Sequence, residues 1–167
     1  MKRTVVVVSL TAAVALLAAG CMSDSSSDRG ARKAALGSTT SGEPIGSMDI
    51  AGVAQGIDVH TFSWGAQGGT NRHVNQVTIV KKIDAVSGNL LRAALQGQVL
   101  PSVTIELSVA DARPYATYQL EGVQVQAVEH SAGDGDEHVV LEAADCLSFT
   151  PASGNPVGWD NTRGRSC

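Results

Sequence analysis

The chain has few aromatic residues and few cysteines, and its charge is unevenly divided. Among 167 residues there are two each of Trp, Tyr and Phe and three Cys, and the net charge is -4. After Pro44 the sequence holds seven basic and thirteen acidic residues, a net of -6. This acidic balance argues against nucleic acid as a partner, because phosphate binding needs a basic face.

The sequence also lacks the common patterns of catalytic and phosphate-binding sites. It contains no G-x-S-x-G turn that would expose a nucleophilic serine and no G-K-[ST] phosphate loop. Cys146 lies in a predicted strand, with no neighbour in sequence that would activate a thiol. We therefore predict a protein that is not an enzyme and that has no cofactor.

The best candidate for a metal site is "HSAGDGDEH", from His130 to His138, which contains two imidazoles and three carboxylates. It lacks the ligand spacing of a calcium loop or a zinc site. Glycines beside aspartates are typical of a hairpin turn. We interpret this stretch as a turn between strands and predict no metal. We expect His60 and His73 to be solvent-facing or loop residues.

Residues 1–20 have the pattern of an export signal, with a basic start, an apolar run and small residues before Cys21. The apolar run is short for a permanent membrane span. "LLAAGC" resembles a bacterial lipobox, which predicts lipid on Cys21; the alternative is an ordinary signal with a chance cysteine. We expect an exported protein, either a cell-envelope lipoprotein or a secreted one.

Residues 21–44 are rich in Ser, Gly and Thr and offer little to bury, so we predict a flexible tether. The remaining residues, 45–167, form one predicted domain. Export would place it where disulfides persist, which makes Cys146 and Cys167 a candidate pair. The alternative of a buried Cys146 and a free Cys167 stays open, because sequence does not place two Cα atoms within bonding distance.

Alternation of apolar and polar residues predicts six or more strands in the domain. One segment, Ser87 to Gly97, has helical spacing instead, with Ser87 as the expected cap and Gly97 as the stop. We predict a mainly β fold, a small antiparallel β-barrel or sandwich with one short α-helix that covers an open edge or mouth. The strand patterns occupy residues 47–53, 57–64, 75–83, 102–110, 116–130 and 138–150.

Several short motifs occur in a fixed order along this domain. Together they resemble the haemolysin-coregulated protein (Hcp) family, the tube protein of type VI secretion systems, over residues 45–161. The motifs are Ser63-Trp64-Gly65, the pair Lys82 and Asp84, the series Tyr115, Tyr118, Leu120, Val123 and Val125, then Phe149-Thr150-Pro151 and Gly158-Trp159-Asp160.

The resemblance implies a structural subunit that forms hexameric rings, which stack into a tube and carry effectors. Its expected partners are copies of itself, other secretion-system proteins and effectors, and the membrane through lipidated Cys21. The glycine-rich loop Gly65 to Asn75 would contact the neighbouring ring, through Gly68, Gly69, Arg72 and His73. Fixed structural positions of the fold would be Trp64, Gly65, Tyr118, Gly158, Trp159 and Asp160; we expect the two tryptophans to pack in the core.

The predicted lipoprotein signal departs from the family, whose tube proteins assemble in the cytoplasm. The alternative function is therefore a membrane-tethered lipoprotein, a binding or adhesion module that keeps the Hcp fold without tube assembly.

Overall fold

The computed structural model describes residues 42–70, 72–109 and 112–167, which belong to the compact unit Leu36–Cys167. The predicted signal, Cys21 and all but the end of the predicted tether lie outside the described residues. Within these three ranges, no helix has both the length and the apolar character to cross a membrane.

The described residues form eleven strands and one helix. The first six strands precede the helix, and the other five follow it. In chain order the elements are β1 (Gly46–Ile50), β2 (Ala54–Val59), β3 (Thr61–Ser63), β4 (Ala66–Gln67), β5 (His73–Val74), β6 (Val77–Lys82), α1 (Ser87–Gln96), β7 (Val99–Leu107), β8 (Ala116–His130), β9 (Asp136–Ala143), β10 (Cys146–Pro151) and β11 (Val157–Asp160).

The main sheet is antiparallel throughout and wraps back towards its own start. Its strands follow the order β2-β1-β7-β8-β9-β6-β3, and β10 joins β8 to β11. The two end strands, β2 and β3, are separated only by His60, whose amide donates to the carbonyl of Val80 in β6 at 2.8 Å. Strands β2 and β3 do not pair with each other, so the sheet is not closed by backbone hydrogen bonds. The chain connects these two end strands directly through His60. The predicted mainly β, one-helix architecture is confirmed.

Two of the predicted strands are each divided into two. The strand expected over residues 57–64 breaks at His60, and the one expected over 138–150 breaks at Ala144 and Asp145. The second break lies opposite Gly122, where β8 exchanges β10 for β9 as its partner. Gly122 has a φ of 61°, and a Cβ there would collide with the Asp145 carboxylate. Alternation of residue types does not show such a bend, because the apolar pattern continues on both sides of it.

Helix α1 covers the sheet and packs mainly against β8. The prediction that Ser87 caps this helix is wrong, because Ser87 is already its first residue. The side chain of Asp84 instead accepts hydrogen bonds from the amides of Val86 (2.8 Å) and Ser87 (3.2 Å). The predicted stop is confirmed: Gly97 has a φ of 61° and ends the helix in the left-handed conformation.

The core lies between the curved sheet and the inner face of the helix. Leu90 and Ala93 are the buried apolar residues of the helix. The largest apolar side chains that are fully buried come from the helix and from five of the strands, and they are Met48, Ile50, Ile79, Leu90, Ile105, Leu120 and Leu141. Burial of side chains of this size supplies most of the free energy that holds such a fold.

We predict that the start of α1 becomes less stable in acid. Burial alone raises the pKa of Asp84, but the hydrogen bond from Lys81 and the amides of Val86 and Ser87 outweigh it and lower this pKa. Ionised Asp84 therefore stabilises the fold above the unfolded-state pKa of about 4, and this contribution is lost as the pH falls through the lower folded-state pKa. The thermal unfolding temperature of Asp84→Asn should be lower than that of the wild type at pH 7, and the difference between the two temperatures should shrink at pH 3. In Asp58→Asn, an exposed control, a similar pH-dependent difference would contradict the assignment.

Candidate functional site: a loop-covered pocket and its C-terminal clamp

An apolar cavity of about 410 Å³ lies between the glycine-rich loop and the β10–β11 hairpin. Its wall brings together two groups of residues that sequence analysis predicted separately. From the loop group it includes Gly68, Arg72 and His73, and from the structural group it includes Trp64, Gly158 and Trp159. Further apolar side chains of the wall are Ala66, Val74, Leu147, Phe149 and Val157.

Behind the cavity, four aromatic rings form one cluster around Tyr118 of β8. The Tyr118 ring centre lies 4.5 Å from Phe62, 5.4 Å from Trp64 and 5.1 Å from Phe149. The indole Nε1 of Trp64 donates a hydrogen bond to the Tyr118 hydroxyl at 3.0 Å. Since its polar atom is paired and its ring is packed, Trp64 is part of the supporting structure, as are Phe62 and Tyr118.

The loop itself is a small hairpin. Strands β4 and β5 pair Ala66 with Val74 and Gln67 with His73, and the Asn75 amide donates to the Gly65 carbonyl at 2.7 Å. Gly69 lies in the same loop with a φ of 89°, and its carbonyl accepts a hydrogen bond from Nε of Arg72 at 3.1 Å. The four predicted contact residues Gly68, Gly69, Arg72 and His73 are all exposed.

Asn161, directly after β11, anchors this loop. Its Oδ1 accepts from the amide of Val74 at 2.7 Å, and its Nδ2 donates to the carbonyl of the same residue at 3.0 Å. One side chain thus satisfies both backbone groups of a loop residue 87 positions away. Asn161 is not predictable from the sequence, because nothing local distinguishes it from the other polar residues of the C-terminal segment.

We predict that Asn161→Ala loosens the loop. The substitution leaves two backbone groups of the buried Val74 without their partner, which typically costs about 1–3 kcal/mol. Amide exchange should increase at residues 72–75, and the thermal unfolding temperature should fall. Asn155→Ala provides a matched control, because Asn155 is exposed in the preceding loop. Unchanged amide exchange at Val74 in the Asn161 variant would contradict the role of Asn161 as the anchor, or clamp, of this loop.

The motif Gly158-Trp159-Asp160 has a distinct role at each position. A Cβ on Gly158 would lie 2.9 Å from Sγ of Cys167, so glycine leaves space for that sulfur. Trp159 forms part of the cavity wall, and its buried Nε1 has no hydrogen-bond partner among the described residues. The Asp160 side chain is buried and accepts from the Arg163 amide (2.8 Å) and from its Nη1 (2.9 Å). The hydrogen bond from the Arg163 amide is the main reason that the pKa of Asp160 is lowered.

Cys146 and Cys167 are joined by a disulfide, and their Cα atoms are 6.2 Å apart. Cys146 is the first residue of β10, and Cys167 ends the segment that follows β11. Between them the chain makes the β10–β11 hairpin and a turn around Asp160, in which Thr162 Oγ1 donates to the Ala144 carbonyl at 2.6 Å. The disulfide therefore closes the segment that contains both the clamp residue Asn161 and the Gly-Trp-Asp motif.

A buried charge cluster lies apart from the cavity, and sequence analysis did not predict it. Nζ of Lys81 contacts Oδ1 of Asp84 at 2.9 Å and Oε1 of Glu137 at 3.4 Å, while Oε2 of Glu137 contacts Nε2 of His130 at 2.9 Å. The side chains of Lys81 and Glu137 are 1% and 0% exposed. The sequence does contain an indication, because Lys81 continues the inward-facing alternation of Val77 and Ile79 in β6.

The two residues of the motif pair Lys82 and Asp84 contact different partners. Lys82 Nζ contacts the buried Asp136 at 2.5 Å, whereas Asp84 contacts Lys81. The "HSAGDGDEH" stretch forms the β8–β9 hairpin, as expected from its turn residues. The described part of the chain contains no group of three or more His, Cys, Asp or Glu side chains arranged to hold a metal ion.

The fold and the cavity define a small, mainly β protein with an open, curved antiparallel sheet, one covering helix and an anchored, glycine-rich loop beside an apolar pocket. Comparison with curated proteins finds no match. The family profile "Type VI secretion system effector, Hcp" matches residues 29–150. The chain therefore belongs to the Hcp family of type VI secretion.

Solved structures share this fold at low sequence identity. Hcp1 from Salmonella typhimurium is 19% identical, with a TM-score of 0.62 over 72% of this chain and 96% of that one. A type VI secretion system effector from Yersinia pestis is 18% identical, with a TM-score of 0.59 over 68% and 97%. The secreted protein Hcp3 from Pseudomonas aeruginosa is 24% identical, with a TM-score of 0.56 over 63% and 75%.

Proposed function

We propose that this chain is an exported, non-enzymatic Hcp subunit that assembles into hexameric rings and stacks them through its clamped loop. The observation that carries the proposal is the rigid mounting of an exposed loop. Gly68, Gly69, Arg72 and His73 reach solvent, while Asn161 fixes the backbone of Val74 beneath them. A contact repeated between identical subunits needs a surface held in one conformation, which this anchoring supplies.

Sheet edges provide the surfaces for lateral association. Within the described ranges, β2 pairs only with β1, and β3 pairs only with β6. Edge strands present unpaired backbone groups that associate readily with other chains. Head-to-tail contacts between identical subunits give a closed ring when the rotation between neighbours closes. Ring formation would use these edges, and effectors would be carried as cargo of the assembled rings.

The full-length protein provides the test. Light scattering should give the mass of six subunits, and electron microscopy should show rings and stacks. Arg72→Glu should leave single rings intact while reducing stacking, because it changes the charge of the loop and not of the sheet edges. Arg92→Glu, on the exposed face of α1, is the matched control. A strict monomer at high concentration would overturn the ring, and unaltered stacks of the Arg72 variant would overturn the role of the loop.

We further propose that lipid on Cys21 holds the exported protein on a membrane, with residues 21–44 as the tether. The "LLAAGC" sequence supports this proposal. Each buried methylene of an acyl chain contributes about 0.8 kcal/mol, so several chains would hold the protein firmly. Cys21→Ser should move the protein from the membrane fraction to the soluble one. Equal partitioning of variant and wild type would contradict lipidation.

The second candidate function is a membrane-tethered binding or adhesion module that keeps the fold without tube assembly. The same lipobox sequence favours it, because a tether outside the cytoplasm separates the domain from a cytoplasmic assembly site. A membrane-bound monomer in the two experiments above would favour this module over the ring subunit.

A further inference from the structure

The C-terminal tail, Asn161–Cys167, lies along the outer edge of β11. One side of β11 pairs with β10. On the other side the Asp160 amide donates to the Arg165 carbonyl at 2.8 Å, and the Cys167 amide donates to the Gly158 carbonyl at 3.4 Å. Residues two apart in a strand present their backbone groups to the same edge, so both bonds lie on the edge away from β10. The tail therefore occupies the place of a further antiparallel strand.

Few non-covalent contacts hold the last residues of this tail. All residues from Thr162 to Cys167 are exposed, including Cys167 itself. The turn around Asp160 fixes the beginning of the tail through Thr162, Arg163 and Gly164. The end of the tail is held by the backbone bond between Asp160 and Arg165, by the weak 3.4 Å hydrogen bond from Cys167 and by the disulfide to Cys146. Exposed segments with so few contacts separate readily from the fold when their covalent tie is removed.

We propose that the disulfide makes this tail a redox-controlled cover for the β11 edge. In the disulfide form the cover is closed, and Ser166 forms part of the wall of the apolar cavity. Reduction opens it: the backbone groups of Gly158 and Asp160 then lose their partners, and Ser166 leaves the wall. The proposal does not depend on ring formation, since it concerns hydrogen bonds within one chain.

Reduction of the disulfide is a two-electron thiol–disulfide exchange, with a dithiol as the reductant. A thiolate of the dithiol attacks Sγ of Cys167, the bond between the two protein sulfurs breaks, and the Cys146 thiolate takes up a proton. The second thiolate of the reagent then attacks the mixed disulfide, closes the oxidised reagent into a ring and releases Cys167 as a thiolate, which is also protonated. Two electrons and two protons pass to the protein. The exposed Cys167 allows the reagent to approach.

Hydrogen exchange of the full-length protein, before and after treatment with dithiothreitol, tests the cover. Exchange at the Asp160 amide should become at least about tenfold faster on reduction, since segments with few buried contacts open with little free-energy cost. Cys167→Ser should show the same fast exchange without reductant. Amides of Ile105 and Leu120 in the central strands report whether the barrel stays folded.

Two further variants separate the cover from a general loss of structure. Ser166→Ala keeps the disulfide and should retain slow exchange at Asp160. Cys146→Ser removes the bridge from the strand side and should match Cys167→Ser, which provides a second route if one variant folds poorly. Slow exchange at Asp160 in the reduced protein, with the central strands also protected, would overturn the proposal.

Discussion

Replacement of Lys81 by methionine is expected to lower the free energy of unfolding by about 3–5 kcal/mol, the usual effect of removing one partner of a buried ion pair. Methionine keeps most of the volume of the side chain but removes its charge. Glu137, whose side chain is fully buried, then keeps its contact to His130 and loses the one to Lys81. Urea or thermal unfolding measures the loss.

The double variant Lys81→Met, Glu137→Leu should recover most of this loss. With both charges removed, positions 81 and 137 hold apolar side chains, which often fill such positions as well as an ion pair does. The outer members of the cluster remain hydrated, because the side chains of Asp84 and His130 are 39% and 45% exposed. If the double variant lost as much free energy of unfolding as the two single variants together, loss of packing rather than an unpaired charge would explain the effect.

Lys82→Met is the matched control for this experiment. Lys82 is the next residue of β6, and it contacts the buried Asp136, but its own side chain is 42% exposed. Water can reach this site when the ammonium group is removed, so we expect a smaller loss than at Lys81. An equal loss in the two lysine variants would show that burial of the ammonium group is not the deciding factor.

Tyr118→Ala is the second substitution with a large expected effect. The variant removes the ring at the centre of the aromatic cluster and leaves a cavity among Phe62, Trp64 and Phe149. Replacement of a buried aromatic residue by alanine typically costs about 3–5 kcal/mol. Because this cluster supports the wall of the apolar pocket, we expect the glycine-rich loop to become mobile as well, which increased amide exchange at residues 72–75 would report.

Two comparisons define what Tyr118 contributes. Tyr118→Phe keeps the ring and removes only the acceptor of the Trp64 hydrogen bond, so a loss of about 1 kcal/mol is expected. Tyr115→Ala makes the same change as Tyr118→Ala three residues earlier, where the side chain is 48% exposed. Surface substitutions of this kind usually change stability by about 0.5 kcal/mol or less. A large loss at Tyr115 would contradict the special position of Tyr118.

The sequence predicted well those features that depend on a short stretch of residues. Strand β8 begins and ends at the residues expected from its alternation, and the helix ends at Gly97 as its left-handed conformation requires. The β8–β9 turn follows from glycine and aspartate chemistry in the same way. Each of these features needs only the periodicity of apolar residues or the conformation of one glycine.

Features that depend on distant residues were not predictable. The clamp joins Val74 to Asn161, and the charge cluster joins Lys81 to Glu137, across 87 and 56 positions. The break in the segment 138–150 depends on Gly122 in another strand. Family resemblance indicates most residues of the cavity wall, but the tertiary fold alone determines that these residues meet.

The wrapped order of the sheet has a consequence for how the chain folds. Residues that pair in it are far apart in sequence: Met48 lies opposite Ile105, and Val77 lies opposite Leu141. Domains dominated by such non-local pairing fold in about milliseconds to seconds, because long loops must close before the contacts form. We therefore expect the newly made polypeptide to stay unfolded for longer than a helical bundle of the same length.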